Sequence, residues 1–358
     1  MEQTLLEYKC PSCGGALHFE SDTQMMKCPY CEAEIETEAL RQMDEMLDDD
    51  IPEEISWENT AGGDWNGEDE ELRSYTCQSC GGQIVTDATT AATQCPYCGN
   101  NVVMAGNLAG TLRPDIVIPF QLDKEAAVEA YKKHLKGKPF LPKNFKDENH
   151  IREIKGVYVP VWLFDADTKS AFTFRATRVR TWSDSQYIYT RTSHYHIIRK
   201  GDLSFDNVPV DGSQKMDDAL MESLEPFDTA KAVDFQTAYL AGYFADKYDV
   251  SAEDSVERAN ARIKSTTEAT FASTVLGYST VVPTSAKVGL TRGQTQYALC
   301  PVWLMTTKYN GQDYIFAMNG QTGKFVGNLP VHMPAAFSWF AGLTAAISAA
   351  AYLLTLLF

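Results

Sequence analysis

Two sets of four cysteines share one spacing. Cys10 and Cys13 are followed after fourteen residues by Cys28 and Cys31, and Cys77 and Cys80 after the same interval by Cys95 and Cys98. A two-residue gap lets a tight turn aim both thiolates at one point, and a second such turn completes a tetrahedron around an ion. Four sulfurs suit Zn²⁺, and a set closed by four cysteines leaves no position for a reactive water, so two structural zinc ions are expected. Iron in a rubredoxin-like site fits the same ligands. Disulfides fit the count but not a reducing compartment. Gly14, Gly81 and Gly99 each follow a knuckle cysteine and can take the positive φ that such a turn needs. The modules, residues 1–38 and 74–108, are too small to bury a core, so metal must supply most of their folding energy, on zinc-finger precedent ~10–16 kcal/mol per site.

The net charge of −17 is local. Glu32 to Tyr75 holds seventeen Asp and Glu against Arg41 and Arg73, a net of −15 that leaves about −2 elsewhere. Leu40, Met43 and Leu47 could form a helical turn pair there, but the rest has too little apolar content to offset ordering entropy, so 39–73 reads as a flexible acidic linker. No basic, apolar leader opens the chain, so its front is expected to stay in the cytoplasm.

Residues 109–332 read as an α+β body. Asp123 is a helix N-cap ahead of Ala127, Val128, Tyr131 and Leu135. From Gly156 to about Val208 the text alternates like strands, from about Ser213 to Lys264 it reads helical with a capping box at Ser251 and Asp254, and strands resume from Thr270 to Val326. Asn319-Gly320 and Thr322-Gly323 mark tight turns. Pro160-Val161-Trp162-Leu163 recurs as Pro301-Val302-Trp303-Leu304, each expected to be followed by a turn and an aromatic strand. Two related β-rich lobes around a helical insertion account for this, and chance recurrence of a good core strand is the alternative. Cys300, with Val159 as its counterpart, reads as a buried hydrophobe.

Nucleic acid is disfavoured as a partner, because Lys and Arg on phosphates dominate such affinity. The second cysteine module has neither residue between Cys77 and Cys98, and the first has only Lys9 and Lys27 near its knuckles. One basic region exists. Lys169, Arg175, Arg178, Arg180, Arg191, Arg199 and Lys200 face a single acid, Asp184. An anionic lipid surface, an RNA strand, the acidic linker docking back, or a plain solvated strand face all remain open for it. Catalytic signatures (GxSxG, HExxH, a phosphate-binding loop, GxGxxG) are absent, and His194 and His196 share a strand face without a nearby carboxylate. A non-enzyme is expected.

Residues 335–358 carry no charge and would span ~36 Å as a helix, enough to cross a hydrocarbon core of about 30 Å. Residues 334–358 are therefore read as one transmembrane helix, with Trp339 near an interface. Ser338, Gly342, Ala346 and Ala350 recur every four residues, a stripe that permits close contact with a transmembrane partner. With this helix last, the front is expected on the cytoplasmic side of a cell membrane.

The two cysteine modules, Ile118-Pro119-Phe120, both Pro-Val-Trp-Leu strands, Glu225-Pro226-Phe227, the run from Ala238 to Tyr243 and the run from Ala317 to Lys324 together resemble the TFIIB-type zinc-ribbon-containing membrane proteins of Gram-positive bacteria. The resemblance covers nearly the whole chain. It implies a membrane scaffold recruiting other proteins, among them phage-shock/ESCRT-III-like and SPFH-domain proteins in envelope stress. A membrane-tethered nucleic-acid-binding regulator is the runner-up, and a degenerate hydrolase-like enzyme a distant third. Where that family usually carries lysines before the span, this chain has Val331-His332-Met333.

Overall fold

The computed structural model describes residues 8–41, 57–65, 67–87, 94–100, 102–106, 111–146 and 153–357. They form two compact units. One gathers Met1–Asn59, Phe164–Val208 and Val256–Thr295, and the other Thr60–Leu163, Pro209–Ser255 and Gln296–Phe358.

The first cysteine module is a small antiparallel sheet of β1 (His18–Glu20), β2 (Met25–Lys27) and β3 (Glu34–Glu36). A helical segment, α1 (residues 37–41), follows and lays Leu40 against Cys10, Leu17 and Cys28. Among the described residues its buried core is Cys10, Leu17, Cys28 and Leu40, with Tyr8, Met26, Ala33 and Ile35 packed partly buried against them. Met43 and Leu47 lie outside the described residues.

The second module is built differently. Its strands β4 (Leu72–Cys77), β5 (Gln83–Asp87) and β6 (Val102–Gly106) belong to the large sheet of the second unit, which also contains β7 (Ile116–Val117). Next comes α2 (Lys124–Leu135), capped as expected by Asp123, whose carboxylate accepts the Ala126 N–H at 2.9 Å. Then follow β8 (Lys155–Ser183), β9 (Ile188–Asp211), α3 (Asp218–Leu224), β10 (Val233–Asp234), β11 (Phe244–Asp246), α4 (Ala252–Ser273), β12 (Thr280–Tyr309), β13 (Gln312–Asn319), β14 (Phe325–Gly327) and α5 (Met333–Leu357). The sheet order is β10-β7-β12-β8-β11-β5-β4-β6, with β13 and β14 continuing from β12. One face of β8 and β12 (Val157, Val159, Val161, Leu163; Ala298, Cys300, Val302, Leu304) packs with Cys77, Cys95 and Cys98 and with Met221 and Leu224 of α3. Trp303, Met305, Phe316 and Met318 face Ala127, Tyr131 and Leu135 of α2. Strands buried on both faces read as unbroken apolar runs, which is why the Pro-Val-Trp-Leu segments do not alternate.

Those two segments are copies of one motif. The Pro160 carbonyl accepts the Gly212 N–H (3.0 Å), and the Pro301 carbonyl the Gly320 N–H (2.8 Å). The Gly212 carbonyl takes the N–H groups of Asp249 and Val250, and the Gly320 carbonyl those of Gln121 and Leu122. Trp162 donates its indole N–H to Val250 O (2.9 Å), as Trp303 does to Leu122 O (3.0 Å). Three residues before each proline a short strand pairs in parallel, Phe244 with Val157 and Ile116 with Ala298. Beyond it comes an antiparallel strand, Val85 on Ala245 and Val233 on Val117. Both turns are tight at their glycine: a Cβ at Gly320 would lie 2.6 Å from Phe120 and force a shift, and one at Gly212 would lie 3.1 Å from the Trp162 indole nitrogen, closer than most side chains approach. The recurrence is therefore structural, not chance, and its copies are neighbours in one sheet. They differ in hairpin length. The β12–β13 hairpin turns at Asn310-Gly311, both at positive φ, whereas β8 runs through Phe172 and Phe174 without the expected turn and returns as β9.

The extended part of β8 and β9, with the start of β12, belongs to the first unit, as does the first cysteine module. Phe172, Phe174, Ala176 and Ile197 pack against Phe271 and Val275 at the end of α4 and just beyond it, and Ala166 and Leu290 against Ile263.

Three expectations need correction. The stretch 213–264 is helical only in α3 and α4, because β10, β11 and single 3-10 turns occupy the interval. The helix α4 continues to Ser273, so strand resumes at Thr280 instead of Thr270. The acidic segment 39–73 is no free linker from Trp57 onward. Trp57 meets Phe164 edge-on and donates to Asn260 (3.1 Å), the Gly63 backbone bridges Arg113, Trp65 donates to Thr111 O (2.9 Å), and Leu72 is fully buried. Three side chains with large apolar faces outweigh the local charge. Residues 42–56, and with them any docking of their carboxylates, lie outside the described residues.

Candidate metal centres

All four knuckles share one hydrogen-bond design. The first cysteine's carbonyl accepts an N–H four residues on, from Gly14 (2.7 Å), Glu32 (2.9 Å), Gly81 (2.8 Å) and Gly99 (3.0 Å). Its own N–H donates to the carbonyl five residues on, of Gly15, Ala33, Gly82 and Asn100. The residue at the fourth position is left-handed in every case (φ 76°, 61°, 72° and 70°). Glycine meets that need three times. Glu32 meets it once, a place the spacing alone did not mark.

This geometry brings Cys10, Cys13, Cys28 and Cys31 together, and likewise Cys77, Cys80, Cys95 and Cys98, with all sulfurs of a set within 4.8 Å of one another. The nearest pairs, Cys13–Cys28 at 3.4 Å and Cys77–Cys98 at 3.5 Å, are far outside the ~2.05 Å of a disulfide. They approach the roughly 3.8 Å edge of a tetrahedron with Zn–S bonds of ~2.3 Å. Burial opposes ionisation of Cys77, but the N–H groups of Cys80 and Ser79 and the neighbouring thiols outweigh it and bring the thiol down to about 7. Cys28 is brought to about 7 in the same way, with Cys31 and Tyr30 supplying the N–H groups. Four thiolates this close repel one another unless a cation lies between them. Each set fits one tetrahedral divalent ion.

The surroundings of the two sets differ. In the first, Cys13 and Cys31 are exposed. In the second, Cys77, Cys95 and Cys98 are buried and the body supports the loops. Thr306 of β12 donates to Tyr97 O (2.7 Å), Lys215 to Cys80 O (3.1 Å), Lys155 of β8 to Gln94 O (3.1 Å), and Asn100 bonds the Cys98 sulfur (3.5 Å). Sequence reading did not find these four supporting residues, because three of them lie between 61 and 209 positions from their partners.

Comparison with known proteins bears on the whole arrangement. The chain is 35% identical over 339 residues to the uncharacterized protein YdjG of Bacillus subtilis (strain 168), covering 95% of this chain and 94% of that one. The chain belongs to the YdjG family. No family model matches it, and no solved structure matches it. In this YdjG-family chain, Cys300 is buried in the main cluster beside Val159, and burial pushes its thiol far up, as fits an inert core residue.

The seven basic residues do not form one surface. Arg178 lies over Tyr195 and Tyr278 (5.4 and 5.2 Å) and donates to Gly277 O, and Arg199 donates to Thr274, so both hold the segment leaving α4. Lys169, Arg175, Arg180, Arg191 and Lys200 are exposed. His194 and His196 join no ligand group among the described residues, and burial followed by the Arg175 charge lowers the half-buried His196. Ser338, Gly342, Ala346 and Ala350 all lie exposed on α5, which is long and apolar enough to cross a membrane.

One buried acid was not anticipated. Asp246 of β11 accepts a hydrogen bond from Ser213, and burial pushes its carboxyl up to about 7. A carboxyl raised on folding favours the folded state most when protonated. That contribution is complete below pH ~4 and is lost as pH rises through about 7. Asp246→Asn is therefore expected to match the native chain in thermal unfolding near pH 4 and to exceed it near pH 8 by on the order of a few kcal/mol. An equal difference at both pH values would contradict this.

Proposed function

We propose that this protein is a non-catalytic membrane-anchored scaffold whose two zinc ribbons and β-rich body bring partner proteins to the cytoplasmic face of the membrane. The observation that carries the reading is the pairing of two closed four-sulfur sets with a helix, α5, whose apolar residues are left exposed among the described residues. Four-sulfur sets of this kind hold structure and leave no position for substrate. The first ribbon is the recruiting module in this reading. It projects Phe19 and Tyr30, 54% and 76% exposed, on a platform that contributes little to the remaining fold. Its Lys27 is paired with Glu20 and Glu34 (3.5 Å each), so it offers a polyanion little.

Resemblance to zinc-ribbon membrane proteins of the TFIIB type directs the search for partners to phage-shock/ESCRT-III-like and SPFH-domain proteins and to a transmembrane partner contacting the Gly342–Ala346 stripe. The test is affinity capture from solubilised membranes with the full chain and with Phe19→Ala/Tyr30→Ala. Membrane-associated partners recovered with the native chain and lost with the variant support the scaffold. Salt-sensitive retention on DNA or RNA, with polymerase or replication proteins recovered instead, overturns it in favour of a tethered nucleic-acid regulator.

A further inference from the structure

The ribbon of β8 and β9 outruns the helix that covers it. Phe172, Phe174 and Ala176 are buried beneath Phe271 and Val275, and Arg178 closes that edge through its contacts with Tyr195, Tyr278 and Gly277. Strand alternation then places Arg180 and Trp182 on this same face, past the end of its cover. Trp182 stacks on Tyr189 of β9 with ring centres 5.7 Å apart and planes 14° apart, and the Thr181 and Thr190 hydroxyls meet at 3.5 Å. Tyr189 therefore lies across from Trp182, and Arg191 shares its face. Trp182, Tyr187, Ile188 and Tyr189 are 52%, 63%, 77% and 40% exposed.

The turn that joins them is held by its own acid. Asp184 accepts the N–H groups of Gln186 (2.8 Å) and Tyr187 (2.7 Å) and the Tyr189 hydroxyl (2.9 Å). The tip is thus ordered without the rings being covered. Arg180 and Arg191 form no ion pair among the described residues.

Isolated surface hydrophobics are ordinary, but three exposed aromatic rings in mutual contact, set between arginines without an ion pair among the described residues, on a turn held by its own acid, are not. Rings with a polar edge collect at bilayer interfaces, and arginine pairs with lipid phosphate. We propose that the tip of the β8–β9 hairpin, with Trp182, Tyr187 and Tyr189 set between Arg180 and Arg191, is a second membrane contact that seats in the headgroup layer of an anionic bilayer. The proposal rests on α5 being the membrane anchor, which keeps lipid at high effective concentration around the rest of the chain. The rings also resemble a base-stacking platform, but Trp182 and Tyr189 already stack on each other and hold one another's inner faces.

The experiment is amide hydrogen exchange on the full chain reconstituted into nanodiscs of phosphatidylcholine alone or mixed with phosphatidylglycerol. Residues 178–194 are expected to exchange several-fold more slowly in the anionic discs. High salt, Arg180→Gln/Arg191→Gln and Trp182→Ala should each remove that protection while amides of Phe172 and Phe271 keep theirs. Equal exchange in both discs overturns the hairpin contact and leaves the anchor standing. Protection that appears only on adding homopolymeric RNA overturns it in favour of nucleic acid. Failure of the native chain to enter either disc overturns the anchor and this proposal together.

Discussion

Replacing Cys95 with serine is expected to unfold the second unit, whereas replacing Cys28 should unfold only the first ribbon. Each substitution removes one of four ligands, and each site is worth ~10–16 kcal/mol on zinc-finger precedent. The difference lies in what that energy is coupled to. Among the described residues the cluster around Cys28 holds Cys10, Leu17 and Leu40 with Tyr8, Met26, Ala33 and Ile35 against them, all within the first module, so the loss stays local. Cys95 lies in one apolar cluster with Val157, Val159, Ala298 and Val302, its module is hydrogen-bonded to the body through β5 and β11, and Thr306 grips its loop. A typical domain holds about 5–15 kcal/mol in total, so losing this site removes most or all of the second unit's margin. Both variants should bind one zinc in place of two. Under limited proteolysis in detergent, the Cys28 variant should shed an N-terminal fragment and leave a resistant remainder, while the Cys95 variant should be degraded through β8 and β12. Equal resistance of the two remainders would show that the second ribbon is as independent as the first.

This asymmetry was not legible in the sequence, although both ribbons were. Cysteine spacing is a local code, and the knuckle it encodes is complete within six residues, so Cys10 to Cys31 and Cys77 to Cys98 could be placed by counting. The pairing of β5 with β11 joins Val85 to Ala245, and no local pattern records which edge strand another will choose. The Pro-Val-Trp-Leu repeat was visible as text. Its depth was not, because Gly212, Gly320, Val250 and Leu122 carry the equivalence through backbone groups that any residue possesses. In the acidic segment, average composition hid Trp57 and Trp65, and two indoles suffice to fix a chain that charge would leave free. The basic residues were counted together because they are adjacent in sequence. Strand alternation and the end of α4 then assign Arg178 and Arg199 to structure and leave Arg180 and Arg191 in solvent.

Removing residues 333–358 is expected to move the protein wholly from the membrane-bound to the soluble state in carbonate, with the second unit still folded. The 25 residues of α5 make a helix of about 37 Å against a hydrocarbon core of ~30 Å. Among the described residues nothing buries the segment Met333–Leu354, so Phe337, Phe340, Leu343, Ile347, Leu353 and Leu354 expose apolar surface that water would penalise. The root of the helix is tied to the second unit. His332 donates its backbone N–H to Phe140 O (2.7 Å) and its ring accepts the Ala335 N–H, while Trp339 meets Phe140 edge-on at 6.1 Å. Deleting residues 333–358 keeps the His332–Phe140 hydrogen bond, removes the Ala335 and Ala336 bonds to His332 and the Trp339–Phe140 ring contact at the unit's edge, and takes nothing from the buried clusters of the described residues. A milder variant separates insertion from simple adhesion. Ala346→Arg places a charge near mid-helix, where insertion is penalised by ~2.5–3.5 kcal/mol, and Ala346→Leu is the neutral control. If α5 spans the bilayer, arginine should lower the carbonate-resistant fraction sharply and leucine should not. Should the native chain wash off in carbonate, or the arginine variant remain as firmly held as the leucine one, α5 lies on the surface or against another protein and does not cross.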